Sequence, residues 1–257
     1  MKRLTIAAAL FLGTGIAQAT PILQAHLQGA TAGDQPTDED TWFLDAAAGD
    51  TVTLDTMGIY NTNQIQGMNN VGLVLTTPEG QTPNLSMALP SSPGTFVTAP
   101  LGGPFDDEAA FEAFLGRDFP SHAPYGLAAD QVDLYLLAID TVFPGMGYFD
   151  PLYPVPNCDA SVAGTTTCGS ANPYKYGETV SYLLQVTGVD WIHFDLIAEV
   201  TRQVGHHTVT DWEINPFSHD STLRLTGGGG TGSTPVPLPG TLPLLGLPLL
   251  LWGLRRR

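Results

Sequence analysis

The chain has 257 residues, with nine Lys+Arg against 25 Asp+Glu and a formal net charge of −16. That balance excludes a nucleic-acid binder, since phosphates would be repelled. With 29 Gly and 21 Pro and few strong helix formers, the composition suits short strands joined by turns.

In chain order, residues 1–19 begin with Lys2 and Arg3, run apolar from Leu4 to Ile16, and end in Ala17-Gln18-Ala19. A basic start, a short apolar stretch and a small-x-small close form the pattern of a secretory signal peptide, with Ala17 and Ala19 as the small residues and cleavage expected after Ala19. The run falls short of the roughly 20 apolar residues that span a bilayer. Signal peptidase and the Sec machinery are the partners this implies.

Residues 20–226 form the expected extracytoplasmic domain. Five of the nine cations lie outside it, in the two ends, so the body keeps four against all 25 acidic residues, a balance of −21. A strand is expected within Ile22 to Gly33, then a polar loop from Asp34 to Asp40. Strands Thr41–Leu44 and Thr51–Leu54 flank a turn at Ala48-Gly49-Asp50, with Val52 and Leu54 alternating with Thr51 and Thr53. Val71–Leu75 is a further strand, ended by a turn at Pro78-Glu79-Gly80.

One segment is helical in pattern. Asp106 can cap, Ala110, Phe111, Phe114 and Leu115 share a face, and Gly116 stops the helix. Strands resume at Val132–Ile139, Thr179–Thr187 and the segment after Gly188, where Ile192, Phe194 and Leu196 point one way and Trp191, His193 and Asp195 the other. Ser221–Leu225 is the last strand expected. The fold expected is mainly β: an antiparallel, jelly-roll-like β-sandwich with one short helix. Cys158 and Cys168 are the only cysteines. In an exported protein they read as a disulfide closing a short loop, worth about 2–3 kcal/mol in the chain-entropy model.

Residues 227–234 are a Gly/Ser/Thr linker with nothing to build a core. Residues 235–257 carry Val236-Pro237-Leu238-Pro239-Gly240, a Leu-rich run to Leu254, and Arg255-Arg256-Arg257. An apolar run closed by arginines keeps its basic end in the cytoplasm. The expectation is a C-terminal transmembrane tail that Pro243 and Pro248 make a poor permanent helix. The motif, the apolar run and the arginines together resemble the PEP-CTERM sorting signal in its VPLP variant, with Leu238 where the family usually has an acidic residue. The resemblance implies an exosortase-type membrane transpeptidase as partner and a Gram-negative, exopolysaccharide-making host. It also implies an inner-membrane intermediate that ends on the outer surface or in the extracellular matrix.

The body carries a second resemblance. Thr20-Pro21-Ile22-Leu23-Gln24, Ile192-His193-Phe194-Asp195-Leu196 and Asn215-Pro216-Phe217-Ser218-His219-Asp220 are similar to the choice-of-anchor N proteins. That likeness implies export and no particular chemistry.

No Gly-x-Ser-x-Gly, His-Glu-x-x-His or phosphate loop occurs, so no catalytic residue is expected. His193, Asp195, His206, His207, Asp211, His219 and Asp220 are the polar cluster from which a metal or acid–base site would be drawn. Within it, His193, Asp195, His219 and Asp220 are the metal candidates, though their spacing fits no template. The competing structural reading puts His193 and Asp195 on an exposed sheet face. No cofactor is expected; Asp34, Asp38, Glu39 and Asp40 are the residues able to ligate calcium. Trp42, Trp191, Trp212, Tyr148, Tyr153, Tyr174 and Tyr176 are candidates for stacking on sugars, with burial in the core as the alternative. The reading is a non-enzymatic surface or matrix protein for adhesion or exopolysaccharide association. A calcium- or carbohydrate-binding module and a secreted hydrolase using the His/Asp residues stay open beside it.

Overall fold

The computed structural model describes residues 22–32, 41–60, 65–105, 108–115, 131–150, 154–155, 175–215 and 220–227. The signal peptide, the Asp34–Asp40 loop, the helix caps Asp106 and Gly116, the Cys158–Cys168 pair, Tyr153, Tyr174, His219 and the sorting tail lie outside the described residues.

The strands are β1 (Ile22–Leu27), β2 (Thr31–Ala32), β3 (Trp42–Ala47), β4 (Thr51–Tyr60), β5 (Ile65–Pro78), β6 (Asn84–Ala88), β7 (Val97–Thr98) and β8 (Gly102–Phe105). After helix α1 (Glu108–Leu115) come β9 (Val132–Ala138), helix α2 (Ile139–Val142), β10 (Tyr148–Phe149), β11 (Pro154–Val155), β12 (Lys175–Thr187), β13 (Trp191–Val204), β14 (His207–Ile214) and β15 (Ser221–Thr226). They form two sheets, one ordered β1-β4-β12-β6-β7 with β11 on β12, the other β2-β3-β15-β13-β5-β9-β8 with β10 on β5 and β14 on β13.

The sheets share one core. Leu23, Leu54, Tyr182 and Leu184 from the first meet Leu73, Leu75, Phe194 and Leu196 from the second. Each such side chain taken fully out of water contributes about 1.5–3 kcal/mol. Val52 and Leu54 are buried while Thr51 is exposed, as their alternation predicts. Among the described residues every strand pairing but one is antiparallel. β15 runs parallel to β3, Ser221 opposite Trp42 through Thr226 opposite Ala47, so the expectation of a wholly antiparallel sandwich is corrected to a mixed second sheet. The reason is connectivity: β15 fills the slot between β3 and β13, a place the sequence pattern of a single strand does not reveal.

The outer face of the second sheet is also covered. Phe111 and Leu115 of α1 pack with Val74, Val132, Leu134, Trp191 and Ile197 in a second apolar cluster. The helix lies where its pattern puts it, with Phe111 and Leu115 buried, but Ala110 is exposed and does not belong to that face. The expected strand through Ile139 ends at Ala138, where the single-turn α2 begins, a second helix beyond the one expected. Among the described residues no helix is long and apolar enough to cross a membrane.

Two glycines bound β13. Gly188 (φ +86) turns the chain in from β12, where a Cβ would press on the Thr82 carbonyl oxygen at 2.7 Å. Gly205 (φ +62) opens the two-residue loop between Val204 and His207. A positive φ at the first loop residue only is the type II′ hairpin geometry that suits the twist of the flanking strands.

Candidate functional site

β13 is the spine of the second sheet, and its period-2 alternation sorts its side chains. Ile192, Phe194, Leu196, Ala198 and Val200 enter the shared core. Trp191 and Ile197 enter the outer cluster, so His193 and Asp195, which share their face, are roofed by it. Both are 0% exposed. The alternative of an exposed sheet face is corrected here: the direction of the side chains is as expected, but α1 and its apolar partners cover that face.

One edge of β13 is occupied by two strands end to end. β15 pairs with Trp191–Phe194 and β14 with Ile197–Val204. The ladder therefore breaks at Asp195 and Leu196, and Asn215 fills the break. Its backbone N–H donates to the Leu196 carbonyl at 3.0 Å, its side-chain oxygen accepts from the Leu196 N–H, and its Nδ2 donates to Asp195 Oδ1 at 3.1 Å. Asn215 is 1% exposed, so this one amide satisfies backbone and carboxylate groups that water cannot reach.

Three ionisable side chains converge at the break. Asp220, immediately before β15, is 1% exposed. His193 Nε2 lies 3.4 Å from Asp195 Oδ2 and 3.9 Å from Asp220 Oδ2. The opposite ring nitrogen, Nδ1, lies 2.8 Å from the Thr222 hydroxyl, the residue directly across from His193 in β15. One ligand-type atom from each of His193, Asp195 and Asp220 falls within 4.8 Å of the others, the one such group of His, Cys, Asp and Glu among the described residues.

The rest of the expected polar cluster goes elsewhere. His206 and His207 are exposed at the hairpin tip. Asp211, with a side chain 49% exposed, is 3.9 Å from Arg202 Nη2, while Arg202 Nη1 donates to Glu213 Oε1 at 2.5 Å. Trp42 and Trp191 are buried, as the core alternative holds, and Trp212 is half-buried. Tyr148 is 42% exposed. The sequence reading missed Asn215 and Thr222 as members of the site. The signal available was the spacing of Asn215, Asp220 and Thr222 around the start of a strand, which gains meaning only once β15 is known to lie beside β13.

What the geometry defines is a closed His–Asp–Asp centre inside a two-sheet β domain. No family model matches the chain, and no curated protein does. Among solved structures it is similar to AvmM, which catalyses macrocyclization in alchivemycin A biosynthesis, at 8% identity and TM-score 0.35, covering 80% of this chain and 89% of that one. It is also similar to a family 123 glycoside hydrolase from Clostridium perfringens at 13% identity and TM-score 0.25, covering 80% and 27%. A third is the C-terminal domain of the Streptococcus agalactiae AgI/II polypeptide BspA, at 8% identity and TM-score 0.21, covering 79% and 50%. At such scores none of the three assigns an activity or a ligand to this chain.

Proposed function

We propose that this chain is an exported, surface-displayed protein of a Gram-negative bacterium, sorted through its C-terminal segment by an exosortase-type transpeptidase. Its β domain serves as a non-enzymatic module for adhesion or exopolysaccharide association. The observation that favours display over hydrolysis is the closure of the His193–Asp195–Asp220 centre. A hydrolytic site must meet its substrate, and these side chains are 0%, 0% and 1% exposed. The signal-peptide pattern of residues 1–19, the PEP-CTERM-like segment from Val236 to Arg257 and the acidic body support the addressing.

The test is to express the chain in a host with an exosortase, with an epitope tag after Arg257, and to fractionate the cells. The expected result is surface protein whose N-terminus begins at Thr20 and which has lost the tag. Deleting residues 235–257 should abolish surface retention and lower biofilm attachment. Intact protein dissolved in the cytosol, with both termini attached, would overturn the reading.

A further inference from the structure

We propose that His193, Asp195 and Asp220 bind a divalent transition-metal cation of the zinc class, which fastens the C-terminal strand of the domain to its central strand.

The donor set comes first. An imidazole nitrogen with two carboxylates is zinc-class chemistry, whereas calcium and magnesium take oxygen ligands. The distances follow. His193 Nε2 stands 3.4 Å from Asp195 Oδ2 and 3.9 Å from Asp220 Oδ2. Charge-assisted hydrogen bonds settle at about 2.7–2.9 Å. Ligand atoms about 2.1 Å from a tetrahedral zinc lie about 3.4 Å from one another. The Asp195 separation matches that edge, and the Asp220 carboxylate needs to close by a few tenths of an ångström. A fourth position falls to a donor outside these three side chains.

The supporting contacts are those of a metal centre. A ligating histidine is held by a hydrogen bond at its other nitrogen, and a ligating carboxylate by one at its other oxygen. Here the Thr222 hydroxyl sits 2.8 Å from Nδ1, and Asn215 donates to Asp195 Oδ1 at 3.1 Å. Both leave the facing atoms, Nε2 and Oδ2, aimed at the same point.

Position gives the consequence. Asp195 belongs to β13 and Asp220 immediately precedes β15, so the ion ties the two strands together beside the break that Asn215 fills. β15 is the last strand before the Gly-rich linker, and the same join receives β1, whose Leu27 N–H donates to Ser221 Oγ at 3.1 Å. The ion is captured as β15 docks against β13.

The experiment uses the full chain purified without chelator. Its metal content is measured by plasma mass spectrometry, and its Tm before chelation, after chelation in mild denaturant, and after reloading with zinc or calcium. The expected result is stoichiometric zinc, a Tm that falls on stripping, and recovery with zinc but not calcium. Asp220→Asn and His193→Gln should purify without metal. Because either variant can fail to fold, the stripped wild type is also titrated with Co2+, which should give the intense visible bands of tetrahedral nitrogen–oxygen ligation. A chain with no bound metal, a Tm indifferent to chelation and zinc, and no tetrahedral Co2+ bands would overturn the proposal and leave a proton-sharing cluster. The outcome is separate from the display reading, since an exported zinc-free chain and a cytosolic zinc-loaded one sink different statements.

Discussion

At one end of β13, the buried His193 and Asp195 face the buried Asp220; at the other, Arg202 reaches Asp211 and Glu213 of the ribbon strand β14. The residue types are nearly the same, and the backbone between them is one strand. What differs is the layer above. Arg202 lies on the face that carries Ala198 and Val200 into the core and is itself largely buried, but its partners grade outward, from Glu213 to the half-exposed Asp211. His193 lies on the outer face, which would be wet in a bare sandwich and is dry here because α1 and the outer apolar cluster roof it. A charge pair open to solvent is worth little and a buried one is costly to break. The two ends of β13 should therefore respond very differently to the same substitution.

The largest effect is expected from removing one buried carboxylate. Asp195→Ala should lower unfolding stability by about 3–5 kcal/mol, since it leaves His193 and Asp220 in a dry site without their partner. Asp211→Ala, on the neighbouring ribbon strand, should stay within about 0.5 kcal/mol. Urea midpoints at pH 7 measure both, and equal losses would break the distinction between the two regions.

Next comes Asn215→Ala. It removes the donor to Asp195 Oδ1 and the acceptor for the Leu196 N–H, so the cost should be about 1–3 kcal/mol. Amide exchange at Leu196 should speed up before global unfolding; unchanged protection there would show that Asn215 does not hold the ladder break. Arg202→Met then probes the intermediate case. Its pair with Glu213 has side chains 11% and 15% exposed, between surface and core, and the loss should be about 1–2 kcal/mol. A loss as large as that of Asp195→Ala would mean the ribbon is buried in solution.

These responses also mark what the sequence disclosed. The period-2 alternation at Val52 and Leu54, and at Ile192, Phe194 and Leu196, placed the core correctly because a buried face writes itself into every second residue. The apolar face of α1 was legible for the same local reason at Phe111 and Leu115, although Ala110 was assigned to the wrong side. The ribbon strand β14 was missed despite a signal at Gly205-His206, a Gly-first two-residue loop between runs rich in Thr and Val. Its polar, exposed residues hid it. The site itself was half legible: His193, Asp195 and Asp220 were named, but with exposed companions, His206, His207 and Asp211, that belong to the ribbon. Only the slot taken by β15 separates the two groups. That placement depends on contacts nearly thirty residues apart in sequence and on a parallel pairing with β3 nearly 180 residues upstream, which no local pattern encodes.

The smallest expected effect concerns a histidine that stands between the two extremes. His26 sits opposite Asp55 across the β1–β4 ladder and edge-on to Trp42 at 5.7 Å between ring centroids. Its burial lowers its pKa below the ordinary 6.5, with the Asp55 carboxylate opposing the shift in part. The sign follows from linkage. The unfolded chain takes up a proton at His26 near pH 6.5, whereas the folded chain resists until lower pH. The contribution is therefore fully present above 6.5 and is lost as pH falls from there towards the lowered folded value. Other groups titrate in the same range, so the readout is a difference. Between pH 7.5 and pH 5, the urea midpoint of the wild type should fall further than that of His26→Phe, which keeps a ring against Trp42 and has nothing to protonate. Parallel curves would mean that His26 is wetter than its contacts with Trp42 and Asp55 require. His26 would then belong with the exposed histidines of the ribbon and not between them and His193.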